Sequence, residues 1–128
     1  MNVNVLLGKT LVSVDMNQYR DEIVFTTDQG EKYLMHHDQD CCESVSIEDV
    51  CGDLQDLVGS PILQAEESSS DEPPIEAREP SSDEAQLWTF YKFATLKGYV
   101  TLRWYGTSNG YYSMSVDFDK LDKKQERW

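Results

Sequence analysis

The sequence of 128 residues predicts an α+β domain built mainly of antiparallel sheet, as hairpins and a meander, with one short helix and one long disordered acidic loop. Short segments in which apolar and polar residues alternate recur along the chain, and turn residues separate them. The loop is predicted from composition, because residues 66–85 are rich in acids, serine and proline. We expect a single domain over 1–118, interrupted by this loop, and a charged tail over 119–128.

Three strands joined as hairpins are predicted in the first part of the chain. They are "KTLVSVDM" (9–16), "DEIVFTT" (21–27) and "EKYLMHH" (31–37), with a short turn at "DQG" between the last two. Residues on the same face of a strand are two apart, which places Val12, Val14 and Met16 on one face of the first strand and Ile23 and Phe25 together on the second.

A weaker strand and the helix are expected next. "ESVSIEDV" (43–50) alternates through Val45 and Ile47. "GDLQDLVGS" (52–60) fits a short helix that Asp53 caps and Gly59 ends. "PILQAE", which follows, is predicted to be a short edge strand because it starts with proline.

A three-stranded meander is predicted after the acidic loop. Its strands are "QLWTFYKFATL" (86–96), "GYVTLRWYG" (98–106) and "YYSMSVDF" (111–118), with turns at Lys97–Gly98 and Asn109–Gly110. Alternation makes one face almost wholly apolar and therefore core: Trp88, Phe90, Ala94, Leu96, Val100, Leu102, Trp104, Tyr112, Met114, Val116 and Phe118. The other face combines rings and hydroxyls with one guanidinium, and its candidate ligand-binding residues are Tyr91, Tyr99, Arg103, Tyr105 and Tyr111.

The charge of the chain restricts its partners. The sequence has 24 acidic and 11 basic residues and a formal net charge of −13. A broad surface that binds DNA, RNA or an anionic membrane directly is therefore not expected, whereas a protein partner with a basic surface is. Residues 1–64 alone hold 12 acids and 3 bases.

Membrane insertion and secretion are not expected either. No apolar run reaches the length of a membrane span, and the first ten residues lack the pattern of a signal peptide. The three cysteines, of which Cys41 and Cys42 are adjacent, imply no disulfide framework. These features predict a cytoplasmic protein.

The stretch "MHHDQDCCES" (35–44) holds many residue types that bind metals or transfer protons. A structural zinc site needs four ligands, commonly in spaced pairs, but here the two cysteines and the two histidines are adjacent. The weak metal candidates are His37, Asp40 and Cys42, and we predict no cofactor. A thiol- or metal-dependent enzyme at 36–43 remains an alternative. The favoured interpretation is a polar loop in which aspartates cap backbone amides and one cysteine is buried.

Several segments together resemble a family of small proteins of unassigned function found mostly in bacteriophages and in bacteria that carry prophages. The resemblance rests on "DQDCCESVSIEDVCGDL", "GSPIL", "WTFYKFATLKGYVTLRWYG" and "SNGYYS", and it covers roughly 1–118. It transfers no activity to any residue. It implies a phage-type accessory protein that acts in the cytoplasm of a bacterial host.

Two binding functions and the enzyme alternative follow. The favoured hypothesis is a non-enzymatic anti-defence protein that binds and inhibits a bacterial nucleic-acid-handling or defence protein. Its acidic surface would imitate the charge of nucleic acid through Asp38, Asp40, Glu43, Glu48, Asp49, Asp53 and Asp56. The alternative is a sponge, acting as a homo-oligomer, that sequesters a nucleotide second messenger on the aromatic face, where rings stack a base and the arginine pairs with a phosphate.

Overall fold

The computed structural model describes residues 1–71, 85–109 and 112–121, which form eight β-strands and two 3-10 helical turns. The turns are Val3–Leu6 and Leu54–Leu57. The strands, in chain order, are β1 Leu11–Met16, β2 Glu22–Thr27, β3 Lys32–His36, β4 Ser44–Cys51, β5 Gln64–Ser70, β6 Ala85–Thr95, β7 Gly98–Ser108 and β8 Asp117–Leu121. Within this described part of the chain, no helix has the length and apolar character needed to cross a membrane.

The strands form two antiparallel sheets that enclose one apolar core. Sheet 1 has the order β1-β2-β3-β8, and sheet 2 has the order β4-β7-β6-β5. Side chains from both sheets belong to the same buried cluster, and the rings of Phe25 in sheet 1 and Phe93 in sheet 2 lie 5.7 Å apart. The predominance of antiparallel sheet is thus confirmed.

The first two hairpins form as predicted, with one change on β1. Ile23 and Phe25 are fully buried, as expected. However, the register shifts between Leu11 and Ser13, so Leu11 and Val14 face the core. Val12, predicted to share a face with Val14, is instead 54% exposed, because it is the extra residue of a bulge that reverses the alternation beyond it.

The predicted short helix is wrong. Residues Leu54–Leu57 make a single 3-10 turn, which Asp53 caps by accepting a hydrogen bond from the backbone N–H of Gln55 at 2.9 Å. Directly after this turn Val58 pairs with Leu11, and the Gly59 N–H donates to the Leu11 carbonyl at 2.9 Å. The chain is therefore already extended at Val58, which leaves room for one turn only.

The predicted meander is also wrong in its third strand. Residues 112–116 form no strand, and β8 pairs with β3 in the other sheet. There the Phe118 ring contacts those of Tyr33 and Phe25, with centroids 5.5 and 5.9 Å apart. The predicted turn at Asn109–Gly110 lies partly outside the described residues.

Both ends of the segment predicted as a disordered loop, 66–70 and 85, lie in strands. Residues 66–70 belong to β5, which pairs with β6 in an unbroken register and forms the edge strand expected after Pro61. Residues 72–84 lie outside the described part of the chain. The domain also extends past its predicted end, since 119–121 belong to β8, and 122–128 are not described.

The two faces of β6 are reversed relative to the prediction. Thr95 pairs with Gly98, so the hairpin loop consists of Leu96 and Lys97 rather than Lys97 and Gly98. This register places Phe93 opposite Val100 on the buried face. The face of β6 towards the shared core therefore carries Thr89, Tyr91, Phe93 and Thr95, whereas Leu96, predicted to be core, is 83% exposed. Trp88 and Ala94 are buried as predicted, but on the opposite face of β6.

Candidate functional site

Six carboxylates follow the edge strand β4 and the loops on either side of it. Each residue is exposed or half-buried, and no lysine or arginine occurs between 38 and 56. Glu48 and Asp49 lie on β4 itself and the other four lie before and after it, so the charges are spread along this edge of sheet 2 rather than gathered at one point. We call this set the acidic border: Asp38, Asp40, Glu48, Asp49, Asp53 and Asp56.

The centre of the acidic border is formed by a bulge in β4. The register shifts between Ile47 and Asp49, which leaves Glu48 as the extra residue. The Glu48 carboxylate lies 2.8 Å from Nε of Arg103 on the neighbouring strand. Asp49 is exposed opposite the same arginine. One cation therefore faces two carboxylates here, and the border keeps a net negative charge.

Glu43, predicted to be on the acidic surface, is buried instead. Its carboxylate accepts hydrogen bonds from the backbone N–H groups of Cys41 and Asp40, at 2.8 and 3.0 Å, and from Gln39 Nε2 at 3.1 Å. Burial alone raises the pKa of Glu43, but the Cys41 N–H, the His37 side chain and the Asp40 N–H outweigh it and lower the pKa to about 2. The buried Glu43 carboxylate thus holds the β3–β4 loop in place through these hydrogen bonds.

His37 links this carboxylate to the chain before β8. Its Nε2 atom lies 2.8 Å from a Glu43 oxygen, and its Nδ1 atom lies 2.6 Å from the carbonyl oxygen of Ser115. The imidazole ring thus bridges the Glu43 carboxylate and the Ser115 carbonyl. The side chains of His37 and Glu43 are almost completely buried, so this contact lies inside the fold.

The cysteines differ from the prediction. Cys41 and Cys42 are joined by a disulfide and both are exposed, whereas one was expected to be a buried thiol. Cys51 is free and exposed. Asp38 and Asp40, predicted to accept hydrogen bonds from loop amides, are instead donors through their own backbone N–H groups. The Asp40 N–H donates to the Glu43 carboxylate, and the Asp38 N–H donates to the Asp117 carboxylate at 3.1 Å.

The weak metal candidates are not brought together. His37 already bonds Glu43 and Ser115, and the Cys42 sulfur is in the disulfide. Over residues 1–71, 85–109 and 112–121, no group of three or more His, Cys, Asp or Glu side chains is placed to hold a metal ion.

The candidate ligand face is divided between the two sides of sheet 2. Tyr91 lies in the core, where burial raises its pKa and its hydroxyl donates to a Glu67 carboxylate oxygen at 2.6 Å. Tyr105 lies on the outer side, with its ring 5.0 Å from that of Trp88. Arg103 is on the outer side as well, Tyr99 is 75% exposed near the hairpin loop, and Tyr111 is outside the described residues.

A groove beside the acidic border contains acidic residues that the sequence interpretation missed. It has a volume of about 430 Å³ and is lined by Asp21, Glu22, His36, His37, Asp38, Gln39 and Val45. Asp21 precedes β2 and Glu22 begins it. The turn before β2 brings both residues close to β4, because the Ile47 N–H donates to the Arg20 carbonyl at 2.7 Å. No local sequence pattern signals this approach, because it depends on the packing of the two sheets.

Comparison with known proteins identifies the family but adds no activity. Neither the curated proteins nor the solved structures contain a match to this chain. Residues 4–118 match a family described as a domain of unknown function, DUF7448, which covers nearly all of the described strands. The chain belongs to the DUF7448 family.

Proposed function

We propose that this chain is a non-enzymatic binding protein whose acidic border docks onto the basic surface of another protein. The observation that carries this proposal is the set of six exposed or half-buried carboxylates on β4 and its flanking loops, in a stretch of sequence where no lysine or arginine occurs. Charges arranged in this way attract a basic partner over a distance of about 8 Å at physiological ionic strength and accelerate association.

The partner class follows from this charge pattern and from the phage-type resemblance. Proteins that handle nucleic acid present extended basic surfaces to the phosphate backbone, and carboxylates spread along one edge of a sheet compete for such a surface. We therefore infer a bacterial nucleic-acid-handling or defence protein as the target, and inhibition by occupation of its basic surface. The site of action would be the cytoplasm of the bacterial host.

The nucleotide-sponge alternative is less well supported. Tyr91 faces the core, so it is removed from any ligand that Tyr105 and Arg103 could hold together. The Arg103 guanidinium is already paired with Glu48, so a ligand phosphate would have to compete with that carboxylate. The border and the sponge predict opposite effects of removing Arg103, which allows one set of variants to distinguish them.

The test is affinity capture from bacterial lysate, with identification of bound proteins and small molecules by mass spectrometry. The border variant replaces four carboxylates by amides, and because asparagine also caps helical turns, it preserves the cap at residue 53. The four substitutions are E48Q, D49N, D53N and D56N. We expect the wild type to retain a basic protein that the border variant does not retain.

A matched control removes the same number of charges elsewhere. Four exposed acids outside the border serve for it: D15N, D28N, E66Q and D71N. The proposal predicts that this control captures the same protein as the wild type. Equal losses in both variants would show that net charge alone acts, and a co-purified nucleotide lost in Arg103→Ala would favour the sponge.

A further inference from the structure

The Cys41–Cys42 disulfide does not link separate parts of the fold. The two residues are adjacent, both are exposed, and they lie in the loop between β3 and β4. A disulfide stabilises a protein mainly by closing a long loop of the unfolded chain, and this one closes none. Its presence therefore calls for an explanation other than stability.

The backbone of Cys41 is hydrogen-bonded to the buried Glu43 carboxylate and to the Gln39 side chain. The Cys41 N–H donates to Glu43 at 2.8 Å, and the Cys41 carbonyl accepts from Gln39 Nε2 at 3.2 Å. The same Gln39 nitrogen also bonds the Glu43 carbonyl at 2.7 Å. The peptide groups on both sides of Cys41 are thus held by one network, and one of them is part of the disulfide ring.

This network also determines where two residues of the acidic border lie. Asp40 donates its backbone N–H to Glu43, and Asp38 donates its own to Asp117. Glu43 is in turn bonded to His37. A change in the backbone at Cys41 would therefore be transmitted to the loop that carries both aspartates.

We propose that Cys41–Cys42 is a thiol-exchange site that takes a dithiol reductant, and that its reduction releases the β3–β4 loop from Glu43. A dithiol attacks one sulfur to form a mixed disulfide, and its second thiol then displaces the protein sulfur. Two electrons and two protons pass to the protein, which gains two thiols, while the dithiol becomes a disulfide. Intracellular disulfides are usually of this reversible kind. Release of the loop would move Asp38 and Asp40 of the acidic border, and the consequence of that movement for partner binding rests on the proposed function. The thiol exchange itself does not rest on it.

Alkylation followed by mass spectrometry tests the exchange. One sample of the native protein is incubated with dithiothreitol, and another is left untreated. Each sample is then unfolded and treated with N-ethylmaleimide. Because Cys51 is free, we expect one adduct before reduction and three after it. A Cys51→Ser variant should give none and two. Three adducts in the untreated protein, or one after incubation of the native form with dithiothreitol, would overturn the proposal.

Amide hydrogen exchange tests the connection to Glu43. In the reduced protein, the amides of Asp40 and Cys41 should exchange about tenfold faster, since local opening controls their protection. The amide of Val100, in the core of sheet 2, should not change. A Cys42→Ser variant should match the reduced protein. Equal exchange of Asp40 and Cys41 in both redox forms would refute the loop release, and no partner is needed for either measurement.

Discussion

Replacement of Phe93 by alanine tests the arrangement of sheet 2 most sharply. Phe93 is 1% exposed and its ring contacts that of Phe25 across the core, whereas Phe90, three residues earlier on the same strand, is half-buried on the opposite face. Deletion of a fully buried phenylalanine side chain costs about 3–5 kcal/mol. With a urea dependence of about 2 kcal/mol per molar, the unfolding midpoint of Phe93→Ala should fall by about 2 M.

Phe90→Ala is the matched control, because the same atoms are removed from the other face. Since Phe90 is half-buried, its midpoint should fall by less than half as much. Equilibrium urea unfolding followed by tryptophan fluorescence and by far-ultraviolet circular dichroism measures both variants. A larger loss in Phe90→Ala than in Phe93→Ala would show that β6 presents its even-numbered residues to the core, which contradicts the observed register.

Three further outcomes are expected. Trp104→Ala should destabilise the fold by about 3–5 kcal/mol in the same unfolding assay, because its side chain is 1% exposed. The Glu31 carboxylate lies 2.8 Å from Lys9 Nζ and 3.0 Å from Lys120 Nζ, and these hydrogen bonds lower its pKa to about 2. Since the pKa of Glu43 is also about 2, against an ordinary 4.5, the stability that both carboxylates contribute is present above pH 4.5 and is lost as the pH falls towards 2. Unfolding midpoints of wild type and Glu43→Gln at pH 3 and 6 should show a weaker pH dependence in the variant. Tyr91→Phe, which loses the hydrogen bond to Glu67, should lower the free energy of unfolding by about 1 kcal/mol. The wild type should also lose stability above pH 10, because Tyr91 ionises there in the unfolded chain while burial keeps it protonated in the folded protein. Equal alkaline slopes in Tyr91→Phe and wild type would contradict that assignment.

The sequence was sufficient for elements whose pattern is local. The hairpins β1–β2 and β2–β3 follow from alternation and from turn residues, and β4 follows from Val45 and Ile47, both of which are buried. Asp53 caps a helical turn as predicted, although the turn is too short to be an α-helix. In these cases the interactions that determine the structure lie within a few residues.

Features set by register and by distant contacts were not predictable in this way. Moving the hairpin loop from Lys97–Gly98 to Leu96–Lys97 reverses the whole of β6, because successive side chains point to opposite faces. The pairing of β8 with β3 joins Phe118 to Met35, more than eighty positions away along the chain. A strand that leaves its expected hairpin for another sheet has no local signature.

The candidate site likewise combines features that the sequence predicts with features that only the folded structure reveals. The acidic character of β4 and its loops could be read from composition, since no lysine or arginine occurs between 38 and 56. The burial of Glu43 could not, because its carboxylate is held by His37 and by backbone amides that only the folded loop brings together. The ion pair of Arg103 with Glu48 is likewise a consequence of the bulge.

The most direct measurement of the central claim is the association rate of the captured host protein with three forms of this chain, between about 50 and 500 mM salt, a range over which screening of exposed charges becomes severe. We expect the wild-type rate to fall steeply with salt and the E48Q/D49N/D53N/D56N variant to associate slowly at every salt concentration. Arg103→Ala should associate at least as fast as the wild type, because it removes the cation that neutralises Glu48. A salt-independent rate, or a folded Arg103→Ala that fails to bind while the amide variant binds normally, would contradict docking through the acidic border.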